Sequence, residues 1–218
     1  MDDGLNRLEL KLFATTSTGT KELTIADSWD KVTTDQFQQI VPLVSEKEAL
    51  TTDDKLKLFS ILSGLPVKAI AQSADKELEQ NLFEAIAFLA EWYDFKSLEV
   101  PREIKIGDKV IQVPKYVGHL TIGQNIHVRE QMENVKVYEE LISFVIAIYL
   151  QPLYDETDFD YFRATQLHEK VLKMPIVDTY ALGFFLLSPL MPSGGNILNR
   201  WSLTLARLWR GYTLKGRL

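Results

Sequence analysis

The chain has 218 residues, 46% of them hydrophobic and 25% charged, which is enough apolar material for one large or two small domains and too much for a disordered polymer. It contains no Cys, so a disulfide scaffold, a thiol nucleophile, an iron–sulfur cluster and a cysteine zinc site are excluded. The net charge of −6 is unevenly spread: no acid follows Asp178, while Arg200, Arg207, Arg210, Lys215 and Arg217 remain, so the last forty residues carry +5 and the rest −11.

The N-terminus, Met1-Asp2-Asp3-Gly4, is acidic where a secretory signal needs a basic region followed by an apolar one, and this points to the cytoplasm. Residues 7–14 and 21–25 alternate apolar and polar side chains (Leu8, Leu10, Leu12 against Arg7, Glu9, Lys11) around a turn at 15–19, the pattern of a β-hairpin. Thr33 stands three residues ahead of Gln36, a capping-box spacing that starts a helix, which Pro42 limits to a few turns or kinks. Thr51 caps the next helix, with Asp53 and Asp54 at its positive end and Gly64 and Pro66 closing it after Leu62. A short turn at 67–71 then leads to a long helix on which Leu78, Leu82, Ala85, Ile86, Leu89 and Tyr93 recur at helical spacing.

Near residue 100 the period changes to two. Glu103-Ile104-Lys105-Ile106, Gly107-Asp108 and Lys109-Val110-Ile111-Gln112-Val113 spell a second, tight hairpin. Thr121 and Gln124 repeat the Thr-x-x-Gln cap after it, so a hairpin followed by a capped helix occurs twice. Helices follow over 122–131, 137–150 ending before Pro152, 157–173 with Thr157 and Asp160 as the capping pair, 176–187, and 197–212 beyond a loop at 193–196. The greasiest stretches, 141–153 and 176–191, fall short of the ~18–20 apolar residues a bilayer span needs and read as buried helices. The expected fold is mainly α-helical with two small β-hairpins, divided as 1–98 and 99–218 or folded as one compact body.

Chemistry-bearing patterns are sparse. The three histidines, His119, His127 and His168, lack the one-turn spacing of a zinc helix and read as surface or boundary residues. The acidic run Asp155-Glu156-Thr157-Asp158-Phe159-Asp160 lacks the glycine and terminal Glu of a calcium loop, and its acids suit a helix N-terminus instead. No Gly-x-Gly-x-x-Gly, Gly-Lys-Ser/Thr or Gly-x-Ser-x-Gly run occurs, and Glu139 and Glu140 diverge by about 100° on their helix. No catalytic residue, metal or cofactor is therefore assigned.

The last helix is the most informative. At about 100° per residue, Trp201, Leu205, Leu208, Trp209 and Tyr212 share one side, and Arg200, Arg207 and Arg210 the other. Such a helix can dock in a partner's groove, lie on an anionic surface, track a phosphate backbone, or close its own core with the Trp face. The partner-binding candidates are Trp201, Arg207, Trp209, Arg210 and Lys215, together with Leu10 on the edge strand of the first hairpin, which can add to a partner's sheet.

Four segments carry a family likeness: Trp29-Asp30-Lys31-Val32-Thr33-Thr34-Asp35-Gln36-Phe37, Ile61-Leu62-Ser63-Gly64-Leu65-Pro66, Leu120-Thr121-Ile122-Gly123-Gln124, and Leu182-Gly183-Phe184-Phe185-Leu186-Leu187. The chain resembles virion-assembly proteins of tailed bacteriophages of gut Bacteroides-like hosts, of the tail-assembly-chaperone type. The resemblance implies a non-enzymatic role in virion assembly through contacts with other phage structural proteins, with homo-oligomerisation, in the host cytoplasm or the virion and without a membrane. It transfers no site residue, because its motifs are caps and core positions. The hairpins and basic tail depart from that type, which makes a tail or head-to-tail structural component the near alternative. A nucleic-acid-associated protein using the basic C-terminal helix is the alternative from a different class.

Overall fold

A computed structural model describes residues 11–16, 19–44, 50–71, 87–90, 98–115, 120–135 and 138–187. The fold is mainly helical with minor β structure. Two antiparallel strands, β1 (Lys11–Thr16) and β2 (Gly19–Thr24), open it, with Lys11 opposite Thr24 and Thr16 opposite Gly19. Then come α1 (Thr34–Val44), α2 (Thr52–Ser63), the one-turn α3 (Val67–Ala71) and a 3-10 turn at Ala87–Ala90. The second hairpin, β3 (Glu103–Ile106) and β4 (Lys109–Gln112), precedes α4 (Ile122–Asn134), α5 (Tyr138–Asp155), α6 (Tyr161–Val171) and α7 (Ile176–Leu187). Of the long helix expected around 78–93, only the 3-10 turn falls within the described residues. The expected helix at 197–212 and its preceding loop lie outside them.

The central element is α5. Leu141, Ile142, Val145, Ile146, Ala147, Ile148 and Leu150 are buried around most of its circumference, so it must be covered on several sides, and α4, α6, α7 and α1 pack against it. One apolar cluster runs from Ile25 and Phe37 through Ile104 and Ile106 to Leu187. Gly183 sets the α7–α5 distance: a Cβ there would overlap Ile142 Cγ2 and come within 3.3 Å of its Cβ.

Helix ends are satisfied locally and by one another. Thr51 with Asp54 and Thr121 with Gln124 form full capping boxes, and Gly64, at φ 69°, closes α2 in the left-handed region where a Cβ is unfavourable. Thr33 and Gln36 make the same reciprocal pair, at 3.0 and 3.2 Å. The amides of Thr34 and Asp35 at the start of α1 donate to the carbonyls of Met174 and Leu172 beyond α6, each at 2.9 Å, so two sets of unpaired helix-end groups cancel. In the second hairpin, Ile106 opposes Lys109 across the two-residue turn Gly107-Asp108, with Gly107 at φ 60°.

Two helix boundaries differ from expectation. Pro152 does not end α5, which continues to Asp155. Proline removes the N–H that would pair with the carbonyl four residues back, that of Ile148. Gln124 Nε2 donates to that carbonyl at 3.0 Å from α4, so the loss is made good by tertiary contact and the helix survives. In the first half Gln36 Nε2 donates to Ile61 O at 3.0 Å and Leu62 O at 3.4 Å, carbonyls left unpaired at the C-terminal end of α2. The second difference is at α6, which starts at Tyr161 rather than 157. Asp160 is its cap, accepting from the Arg163 amide at 3.0 Å, while Thr157 donates to Asp158 O in the turn after α5.

Candidate interaction surface and a closed polar network

The polar groups with most chemical potential meet inside the protein. Ser143 on α5 is fully buried, and its Oγ donates to Glu140 O at 2.9 Å, one turn back on its own helix. Gln38 of α1 donates Nε2 to the same Oγ at 3.0 Å and to Glu139 O at 2.9 Å. His168 of α6 places Nε2 2.9 Å from Ser143 Oγ and stacks on Phe144, with ring centroids 3.8 Å apart and planes at 8°. A hydroxyl has one proton and two lone pairs. With the proton on Glu140 O and one lone pair taken by Gln38, the remaining lone pair accepts from His168 Nε2–H. The Ser–His pair therefore runs opposite to a nucleophile and its base, in which the serine would donate. One hydroxyl ties three helices together.

Electrostatics matches this enclosure. Burial, the largest cause, pulls the His168 pKa below its ordinary 6.5 despite the opposing pull of Glu169. Burial also raises Glu139, whose own backbone hydrogen bond lowers it again and whose neighbour Glu140 raises it. Tyr180, on α7, is pushed far above its ordinary range by burial and then by Glu139. His168 corrects the expectation of surface or boundary histidines. Its Leu167 and Val171 neighbours already mark the buried face of α6, and a neutral imidazole whose Nε2–H has an acceptor fits there.

His127 behaves otherwise. It stacks on Tyr161 at 3.9 Å and 12°, and its Nδ1 lies 3.1 Å from Glu130 Oε2. Gln131 Nε2 donates to Tyr161 OH at 3.1 Å, and a Cβ at Gly123 would lie 3.3 Å from the Phe159 ring. These contacts hold the first turn of α6 against α4. Gln124 and Val128 are the buried side of α4, so Ile122 and Ile126, about 120–160° round the helix, face away from α5. Ile122 is 80% exposed, Ile126 58% and Phe162 71%, with Tyr161 partly exposed beside them. Two touching elements thus present four apolar side chains to solvent. On the same two elements and the turn leading to α6, Glu130, Glu133, Glu156, Asp158 and Asp160 are exposed, with Arg129 and Arg163, a balance of −3 from five acids and two arginines.

Leu10, Trp201, Arg207, Trp209, Arg210 and Lys215 lie outside the described residues, as does His119. The acidic run at 155–160 is the turn between α5 and α6: Asp155 accepts from Gln151 Nε2 at 2.9 Å, and Asp160 caps α6. Among the described residues, no group of three or more His, Cys, Asp or Glu can hold a metal ion, and no helix is long and apolar enough to cross a membrane. Sequence reasoning passed over both the α4–α6 ridge and the Ser143–His168 joint. The signal for the ridge was partial: Ile122 and Ile126 on one side and Val128 on the other mark two apolar faces of α4 without saying which of them packs on α5. No protein-family model matches the chain, and no curated protein or solved structure matches it.

Proposed function

We propose that the protein is a non-enzymatic component of tailed-phage virion assembly that works by binding other phage structural proteins in the host cytoplasm. It serves as a tail-assembly chaperone or as a tail or head-to-tail component of the particle. The observation that carries the binding role is the ridge. Titratable and nucleophilic groups at Ser143, His168 and Tyr180 are enclosed, whereas Ile122, Ile126, Tyr161 and Phe162 stand in solvent. The Ser143 hydroxyl is committed to Glu140 O, Gln38 and His168, and exposed apolar groups rimmed by charge are what protein interfaces use. The phage setting is supported by the four motifs around Trp29, Ile61, Leu120 and Leu182. No cofactor enters this role.

The test is capture of dissociated virion proteins by the full chain, compared with the double variant Ile126→Glu/Phe162→Asp. Both positions are exposed, so helical circular dichroism is retained; capture is lost if the reading holds and unchanged if it does not. The second reading, nucleic-acid binding, is favoured by the acid-free, +5 segment after Asp178. It requires DNA affinity that falls steeply with salt and a slope that shrinks when Arg207, Arg210 and Lys215 become Ala. Salt-independent binding, or none, removes it.

A further inference from the structure

We propose that the α4–α6 ridge receives the C-terminal Trp/Arg segment, residues 197–217, of a second copy of this chain. The inference rests on the interaction reading of the ridge and names its occupant. Two complementarities select that occupant. The ridge offers Ile122, Ile126, Tyr161 and Phe162 with a local charge of −3, and the segment offers Trp201, Leu205, Leu208 and Trp209 with five cations and no acid. Apolar anchors in the centre and opposite charge at the rim give both contact and register.

Geometry favours another copy over the chain's own end. The described body ends at Leu187 on α7, which packs against α5, and Leu187 itself is 2% exposed. The ridge is on the side of α4 turned away from α5. Since donor and acceptor are different surfaces of one chain, the contact closes as a reciprocal exchange between two copies or propagates head-to-tail into a ring or filament.

The absence of Cys makes the test clean. Full-length Ile126→Cys and Leu208→Cys variants are mixed and oxidised, and the double variant is oxidised alone at high dilution. The expected result is a disulfide dimer from the mixture, with a yield reduced about tenfold by Phe162→Asp and by raising salt, as expected for an anchored, charge-guided contact. A cross-link found only within single molecules of the double variant overturns the proposal in favour of the chain's own tail. No cross-link in either overturns it outright. If the ridge variant has also stopped capturing virion proteins, the interaction role stands and only the self-pairing is lost. If capture is unaffected by the ridge substitutions, the interaction role itself fails.

Discussion

Substituting Gln124 by Ala tests the reasoning about α5 most severely. The side chain does two jobs: Oε1 accepts from the Thr121 amide at 3.0 Å, and Nε2 donates to Ile148 O at 3.0 Å. Ile148 is 1% exposed, so its carbonyl has no access to water once Gln124 is gone, and Pro152 offers no N–H. An orphaned buried acceptor costs about 1–3 kcal/mol and the lost half of the capping box up to about 1 kcal/mol more, so Gln124→Ala is expected to destabilise by about 1–4 kcal/mol. The decisive comparison is made in a Pro152→Ala background, where the restored amide at 152 can pair with Ile148 O along the helix. There Gln124→Ala is expected to cost about 1–2 kcal/mol less. Urea unfolding of the four proteins, followed by circular dichroism, gives the coupling energy. Strict additivity would refute the claim that Gln124 substitutes for the missing proline N–H.

Three further expectations follow from the same structure. Gly183→Ala drives a methyl into Ile142 and should destabilise by about 1–3 kcal/mol in chemical unfolding, whereas the Gly64→Ala penalty arises from backbone strain with open space around it. Asp160→Ala should cost about 1 kcal/mol as loss of the α6 cap, and Thr157→Ala close to nothing; the reverse order would restore the earlier helix start. His168, lowered in the fold, binds fewer protons than in the unfolded chain, so its contribution is present above pH 6.5 and lost as pH falls from 6.5 through its folded value. Glu139 and Asp178, raised by burial, act in the opposite sense, their contributions being lost as pH rises from 4.5 and 3.8 through their folded values. His168→Gln should flatten the slope just below pH 6.5, and a slope unchanged by it would place the titrating group elsewhere.

What was legible in the sequence was local chemistry. Thr33 with Gln36, Thr51 with Asp54, Gly64 after α2 and Gly107-Asp108 in the second hairpin act over three or four residues, and each forms as its spacing dictates. What was not legible depends on partners far along the chain. Pro152 reads as a helix end until Gln124, 24 residues before Ile148, supplies the donor. Thr157 has the cap spacing, but α5 continues through Asp155 and Glu156 turns at φ 57°, so the chain at Thr157 is still leaving one helix. The Ser143–His168 joint pairs residues 25 apart, and a lone histidine pattern gives no hint of it. The ridge needed knowledge of which face of α4 packs on α5, because both of its faces carry isoleucine or valine.

The central claim is that this chain works by being bound to other virion proteins. Its most direct test is quantitative mass spectrometry of purified particles and of assembly intermediates from infected cells, counting copies of this chain in each. A fixed stoichiometry in the particle, or a complex with a tail protein in the intermediates, is the expected result. A chain found in neither, free in the lysate at all stages, would contradict the account.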